Sequence, residues 1–144
     1  MKKYLLIGFV LLLLVAQAFQ PTLNRGSATG PNDITHAMTV PPDVQTILER
    51  SCYDCHSNHT DYPWYDRIAP VSWWITHHIK EGKRELNFSE FATYTPKKQH
   101  KKLEETAETV EKNEMPLKSY LITHGDARLT DAQKKTLIDW AKQP

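Results

Sequence analysis

The spacing of apolar residues changes along the chain. The first segment of the chain would be apolar on every side of a helix. From Tyr4 to Ala16 the residues are apolar almost without interruption, after the two lysines Lys2 and Lys3. Such a segment has no polar face to turn toward water, which argues against a surface helix of a globular protein. A charged start, an apolar run and the small residues of Ala16-Gln17-Ala18 are typical of a secretory signal peptide.

The apolar run is also close to the length of a membrane anchor. It is short beside the roughly 20 residues of a membrane-spanning helix, but adding Ala18 and Phe19 brings it to the lower end of the observed range. We therefore expect residues 1–20 to be a signal peptide or an uncleaved N-terminal anchor. In both cases the lysines stay on the cytoplasmic side and the rest of the chain is exported.

Polar and turn-forming residues dominate the next segment. Between residues 21 and 42 the chain is rich in Pro, Gly, Ser, Thr and Asn, with few large apolar side chains. This composition predicts a linker over 21–42 and a single folded domain over 43–144.

Helical spacing begins at Asp43, which is placed to cap a helix. Val44, Ile47 and Leu48 form an apolar stripe at i, i+3 and i+4 that continues toward Cys52. A second helix is predicted from Pro70, which suits a first turn, to Gly82, which suits a stop. One face of this helix is expected to be buried and consists of Val71, Trp74, Ile75, His78 and Ile79.

Two more helices complete the pattern. One starts at Thr95-Pro96 and runs to about Lys112, with Leu103, Ala107 and Val110 as its apolar line. The last has a capping box formed by Thr130 and Gln133, and it carries Leu137, Trp140 and Ala141 on one side. Since no window alternates like a strand, the sequence predicts an all-α domain of four or five helices.

The charge of the chain excludes one class of function. There are 18 Lys and Arg residues against 17 Asp and Glu, and setting Lys2 and Lys3 aside leaves 16 against 17. Binding to a nucleic acid backbone requires a concentrated basic surface, so we expect no nucleic acid partner.

The candidate chemistry is concentrated in Ser51–Asn58, where the sequence reads SCYDCHSN. At the end of a helix, Cys52, Cys55 and His56 stand at i, i+3 and i+4 and share a face. A zinc site would need a fourth ligand from His59 or a remote histidine. A thioredoxin-type dithiol would need a βαβ context, and a disulfide between these cysteines would close almost no loop. These three alternatives stay open.

The spacing C-x-x-C-H favours a fourth chemistry, the covalent attachment of haem. Cys52 and Cys55, one helical turn apart, are placed to add to the two vinyl groups of the porphyrin. His56 would then bind the iron. Export agrees with this interpretation, because such attachment generally takes place after translocation. We expect one haem c, with iron as its metal.

The sixth ligand of the iron decides the function. Met115, before Pro116, is the first candidate because a thioether favours Fe(II), raises the reduction potential and suits electron transfer. His78, on the apolar stripe of the second helix, and His124, in the methionine segment, are the competing ligands. A group of aromatic side chains between the attachment site and Met115 is expected to form core and pocket wall: Tyr62, Trp64, Tyr65, Trp73, Trp74, Phe88 and Phe91.

The chain resembles the class I c-type cytochromes in its C-Y-D-C-H motif, the preceding helix, the methionine loop and the terminal helix. More narrowly, it resembles a family of small exported bacterial haem-binding domains. Three stretches carry this likeness, and they span nearly all of the exported part: Ser51–Trp74, EGKRELNFSEF at Glu81–Phe91, and Met115–Trp140.

This resemblance implies a cytochrome c-like bundle around one haem, commonly held at the membrane by its N-terminal helix. It implies no substrate. We expect a periplasmic electron carrier, anchored at the inner membrane or released from it, with redox proteins and the cytochrome c maturation machinery as partners. The alternatives are a haem-based sensor or accessory subunit of a membrane redox complex, and a small peroxidase with His78 or His124 as its acid or base.

Overall fold

Helices make up the whole regular structure of the described chain. The computed structural model describes residues 2–143. Within this range there is no β-sheet, which confirms the all-α prediction. The helices are α1 Lys2–Ala16, α2 Ile34–Ala37, α3 Pro42–Ser51, α4 Tyr53–His56, α5 Val71–Glu85, α6 Pro96–Glu111 and α7 Asp131–Ala141. Four 3₁₀ turns lie between them, at Trp64–Arg67, Phe88–Thr93, Tyr120–Ile122 and Gly125–Ala127.

Helix α3 begins one residue before the predicted cap. Pro42 opens the helix after Pro41, and Asp43 lies in its first turn, where its carboxylate accepts a hydrogen bond from the amide of Val44 at 2.9 Å. A proline is favoured here because its missing N–H would have no partner in a first turn. Val44 and Leu48 are buried, as the stripe predicts.

Helices α6 and α7 follow their predicted bounds and pack against each other. Thr95 caps α6, and the capping box of Thr130 and Gln133 opens α7. Their apolar lines meet in the core, where the buried residues are Leu103, Ala107, Val110, Leu137, Trp140 and Ala141.

Helix α5 departs from the prediction in two ways. It continues through Gly82 to Glu85, so Gly82 does not end the helix. Its apolar face is not packed into the core either, since Val71 is 39% and Trp74 49% exposed. Only Ile79 of that face is buried, and the others border open space described below.

The segment predicted to be a linker packs against the domain along much of its length. Ile34 belongs to the hydrophobic core, and Asp33 is fully buried and accepts a hydrogen bond from Tyr53 Oη at 3.1 Å. Asn24 donates to the Ser57 carbonyl at 3.0 Å. Residues 21–42 therefore contribute to the folded unit as well as connecting it to α1.

Helix α1 has no buried residue. Its side chains from Tyr4 to Val15 are largely exposed. Among residues 2–143, no helix combines the length and the hydropathy of a membrane span.

Candidate functional site

The two cysteines and His56 are held on a single helical turn. Helix α3 ends at Ser51, and Cys52 joins it to α4. The carbonyl oxygen of Cys52 accepts the amide hydrogens of Cys55 at 3.2 Å and of His56 at 2.9 Å. The three residues thus keep the spacing that the sequence predicts, although Cys55 and His56 belong to α4, and Cys52 lies between α3 and α4.

A backbone carbonyl fixes the imidazole of His56. Its Nδ1 lies 3.0 Å from the carbonyl oxygen of Leu86. Since that oxygen only accepts, Nδ1 carries the hydrogen and the lone pair is left on Nε2. Burial lowers the pKa of His56, which further favours the neutral ring. A neutral imidazole with a free Nε2 is the form that binds a metal.

The two residues between the cysteines anchor α4 on opposite sides. Tyr53 is buried, stacks on Phe88 with ring centroids 5.4 Å apart, and donates to Asp33. Asp54 accepts a hydrogen bond from Tyr120 Oη at 2.6 Å, and this bond ties α4 to the segment that follows α6. Neither pairing is predictable from a local sequence pattern, because the partners lie far apart in the chain.

Gly82 allows α5 to approach the cysteine turn closely. A Cβ atom at this position would lie 2.7 Å from the Cys55 carbonyl oxygen, which is closer than Cβ atoms come to non-bonded heavy atoms in real proteins. The neighbour is backbone and has little freedom to move. This is a second feature that the sequence reasoning missed, since it assigned Gly82 to the helix end.

A continuous cleft surrounds the cysteine turn, and three adjoining cavities form it. The middle cavity, of about 250 Å³, is lined by Cys52, Cys55, His56 and Met115 together. A second, of about 290 Å³, shares Cys52, His56 and Met115 with it and extends toward α6. A third, of about 270 Å³, shares Cys55 and His78 with the middle one and extends along the apolar face of α5. Although polar residues are among those that line the cavities, most of the lining surface is apolar, so the cleft suits a large apolar group.

The structure brings two of the three candidates for a sixth ligand into one cavity with His56 and places the third elsewhere. Met115 is partly buried and lines both cavities that contain His56. His78 lines the middle cavity with His56. His124 borders the third cavity, where its ring stacks on Tyr120 with centroids 4.1 Å apart, and His56 does not line that cavity.

Comparison with known protein families agrees with this geometry. The model of a family described as a haem-binding domain matches residues 11–143. The chain belongs to the haem-binding domain family. No curated protein and no solved structure matches it.

The cleft of this haem-binding domain fits the group that the family name implies. His78 Nε2 is buried and has no hydrogen-bond partner within the described chain. It lies in a cavity wall, with its ring edge-on to Trp74 at 4.5 Å between centroids. A buried polar atom without a partner is costly, so a polar atom of a bound group is expected opposite His78.

The thiols of the haem-binding domain are free and protonated. Burial raises the pKa of Cys52 to about 12, and the charge of Cys55 adds to this shift. Burial raises the pKa of Cys55 to about 11, with smaller contributions from Asp54 and Asp66. Such thiols are weak spontaneous nucleophiles. Forming a bond from Cys52 or Cys55 to a cofactor would therefore require assistance.

The alternative metal and dithiol sites gain no support from the geometry. Within residues 2–143, no three His, Cys, Asp or Glu side chains are grouped to hold a metal ion. His59, the proposed fourth zinc ligand, pairs with Asp61 at 3.4 Å and lines none of the three cavities around the cysteines.

Asp66 is a further cleft residue that the sequence reasoning missed. It is 4% exposed, lines the third cavity, and leaves its Oδ1 without a partner among the described residues. Burial raises its pKa. The charge of His124 opposes this shift, and the charge of Asp54 adds to it.

The aromatic residues that were expected to form core and pocket wall occupy three kinds of position. Phe88 and Phe91 lie in the core, Tyr65 and Trp74 line the third cavity, and Trp64 and Trp73 are exposed.

Proposed function

We propose that this haem-binding domain is a monohaem c-type cytochrome that transfers single electrons. The observation that carries the proposal is the middle cavity, which brings Cys52, Cys55, His56 and Met115 to one space. In this assignment Cys52 and Cys55 would hold the haem through thioether bonds to its two vinyl groups, each thiol hydrogen going to the neighbouring vinyl carbon. His56 Nε2 and Met115 Sδ would bind the iron.

When bound, haem supplies an iron that alternates between Fe(III) and Fe(II) by one electron. The residues of the chain adjust this chemistry. The Leu86 carbonyl holds the His56 ring and raises its basicity through the Nδ1 hydrogen bond. A thioether from Met115 favours Fe(II) and raises the potential, and the apolar cleft limits water at the iron. No substrate pocket is needed.

A second candidate function is an iron site with an exchangeable sixth position, as in a haem sensor, an accessory subunit or a small peroxidase. The observation that favours it is the unpaired, buried Nε2 of His78 beside the cavity of His56. A histidine in this position is suited to act as an alternative ligand, or as an acid or base near a bound molecule.

Absorption spectra of the purified haem-loaded protein separate these two functions. A carrier with His56 and Met115 as ligands is low-spin when reduced and does not take up carbon monoxide readily. A high-spin reduced state that binds carbon monoxide at once would contradict the carrier and support the exchangeable site.

The proposed location is the periplasmic side of a bacterial inner membrane. The support is the charged and apolar N-terminal segment, which forms helix α1 with no side chain buried in the domain. Cytochrome c maturation proteins would attach the haem there, since the pKa values of both thiols disfavour an unassisted reaction. Redox proteins would exchange electrons with the domain.

A further inference from the structure

A patch of exposed apolar side chains lies where α5 begins. Phe19, Ile68 and Trp73 are between 42% and 68% exposed and line none of the cavities of the cleft, and we call these three residues the aromatic surface. By contrast, Trp140 of the core is 6% exposed. Single exposed apolar residues are ordinary, but several large apolar side chains exposed at one place mark a surface that contacts something other than water.

The end of α1 is bonded to the same place. The side-chain amide of Gln17 pairs with both backbone groups of Ala69: Nε2 donates to the carbonyl oxygen at 3.1 Å, and Oε1 accepts from the amide at 3.0 Å. Trp73 Nε1 donates to the carbonyl oxygen of Phe19 at 2.6 Å. These three hydrogen bonds fix the exit of α1 beside the aromatic surface.

The properties of α1 indicate what covers this surface. From Tyr4 to Ala16 its side chains are apolar around the whole circumference, and none of them is buried. At about 1.5 Å per residue, its 15 residues extend only about 22 Å, less than the roughly 30 Å of a hydrocarbon core. A short apolar helix in lipid draws its flanking residues toward the bilayer. The residues bonded to its end would then lie at the headgroup level, where tryptophan side chains are enriched.

We propose that the domain rests on a lipid bilayer through the aromatic surface, with α1 retained and inserted beside it. This inference rests on the anchored form of the proposed location and is independent of the iron ligands. Cleavage after Ala18 would remove Gln17 and with it both bonds to Ala69. The two bonds of Gln17 thus favour retention of the leader over its removal.

The test uses the full-length haem-loaded chain in nanodiscs of phosphatidylcholine and phosphatidylglycerol. A spin label is placed at Ile68→Cys, and the matched control carries it at Lys101→Cys on α6. Lys102 Nζ lies 3.8 Å from Glu85 Oε2, so this part of α6 is at the far end of α5, about 20 Å from Val71. Relaxation by oxygen, which concentrates in lipid, is compared with relaxation by a water-soluble nickel chelate.

The expected result is that oxygen dominates at position 68 and the nickel chelate at position 101. In the Trp73→Ser background, nickel access at position 68 should rise toward the control. Equal nickel access at the two positions, or an intact mass that lacks the leader, would overturn the proposal. Failure of haem attachment is distinguishable, because the intact mass of the same sample would then lack the haem.

Discussion

The Nδ1 atom of His56 lies 3.0 Å from the carbonyl oxygen of Leu86, and this contact sets the tautomer of the proposed iron ligand. Leu86 directly follows α5, whose Gly82 packs against Cys55. The end of α5 therefore supports both the cysteine turn and the imidazole.

Gly82→Ala should destabilise the haem-loaded protein. The new Cβ would meet the Cys55 carbonyl oxygen at 2.7 Å, and overpacking of this kind costs about 1–3 kcal/mol, more than the helix propensity that alanine gains. Thermal unfolding measures the loss. Gly125→Ala is the matched control, since a Cβ there meets nothing within 4 Å. Equal stability of the two variants would show that α5 adjusts freely.

Met115→Ala should open the iron site. Loss of the thioether is expected to give a partly high-spin reduced protein, uptake of carbon monoxide on mixing and a lower reduction potential. His78→Ala and His124→Ala should leave the spin state unchanged. Met38→Ala is the control for loss of a methionine, because Met38 packs on the core away from the cleft. A change of ligand in His78→Ala alone would assign the sixth position to His78.

Tyr120→Phe should loosen the methionine segment from α4. It removes the 2.6 Å hydrogen bond to Asp54, and a bond of this charge-assisted type contributes about 1.5–3 kcal/mol. The free energy of unfolding should fall by that amount, with weakened Met115 ligation visible in the spectrum. Tyr65→Phe, in the wall of the same third cavity, is the matched control. A similar loss in both variants would argue against a specific role for the Asp54 bond.

Asp66→Asn should stabilise the protein, and more so at neutral pH than in acid. Burial raises the folded-state pKa of Asp66 above its unfolded value, so the folded chain binds the proton more tightly. Stability from this group is complete below the unfolded pKa and is lost as the pH rises through the folded pKa. Asparagine does not titrate, so the variant does not lose stability in this way. Urea unfolding at pH 4 and pH 7 measures the difference in free energy of unfolding between variant and wild type. An equal difference at the two pH values would contradict a raised pKa for Asp66.

Local sequence patterns were enough to predict most helices. Where such a prediction was wrong, a contact with a distant part of the chain explains the difference. Helices α6 and α7 end where their caps and apolar lines indicate, because those signals lie within each helix. Gly82 was misread as a stop because its role depends on Cys55, a distant backbone neighbour.

The same contrast between local signals and distant contacts applies to the candidate site. The cysteine turn is a local motif, and its spacing was readable from the sequence. The Leu86 carbonyl is a backbone group without a residue signature, and the Asp54 to Tyr120 bond joins positions 66 residues apart. The face of α5 resembled a core face because an apolar cavity wall and an apolar core have the same spacing.

The most direct test of a covalent haem is the intact mass of the purified haem-loaded chain after denaturation in acid and organic solvent. Cys52→Ser/Cys55→Ser is the control, in which the haem should pass into the organic phase. The account predicts that the wild-type chain keeps one haem, with the mass of chain and haem combined. A wild-type chain with the mass of the polypeptide alone, and its haem in the organic phase, would contradict it.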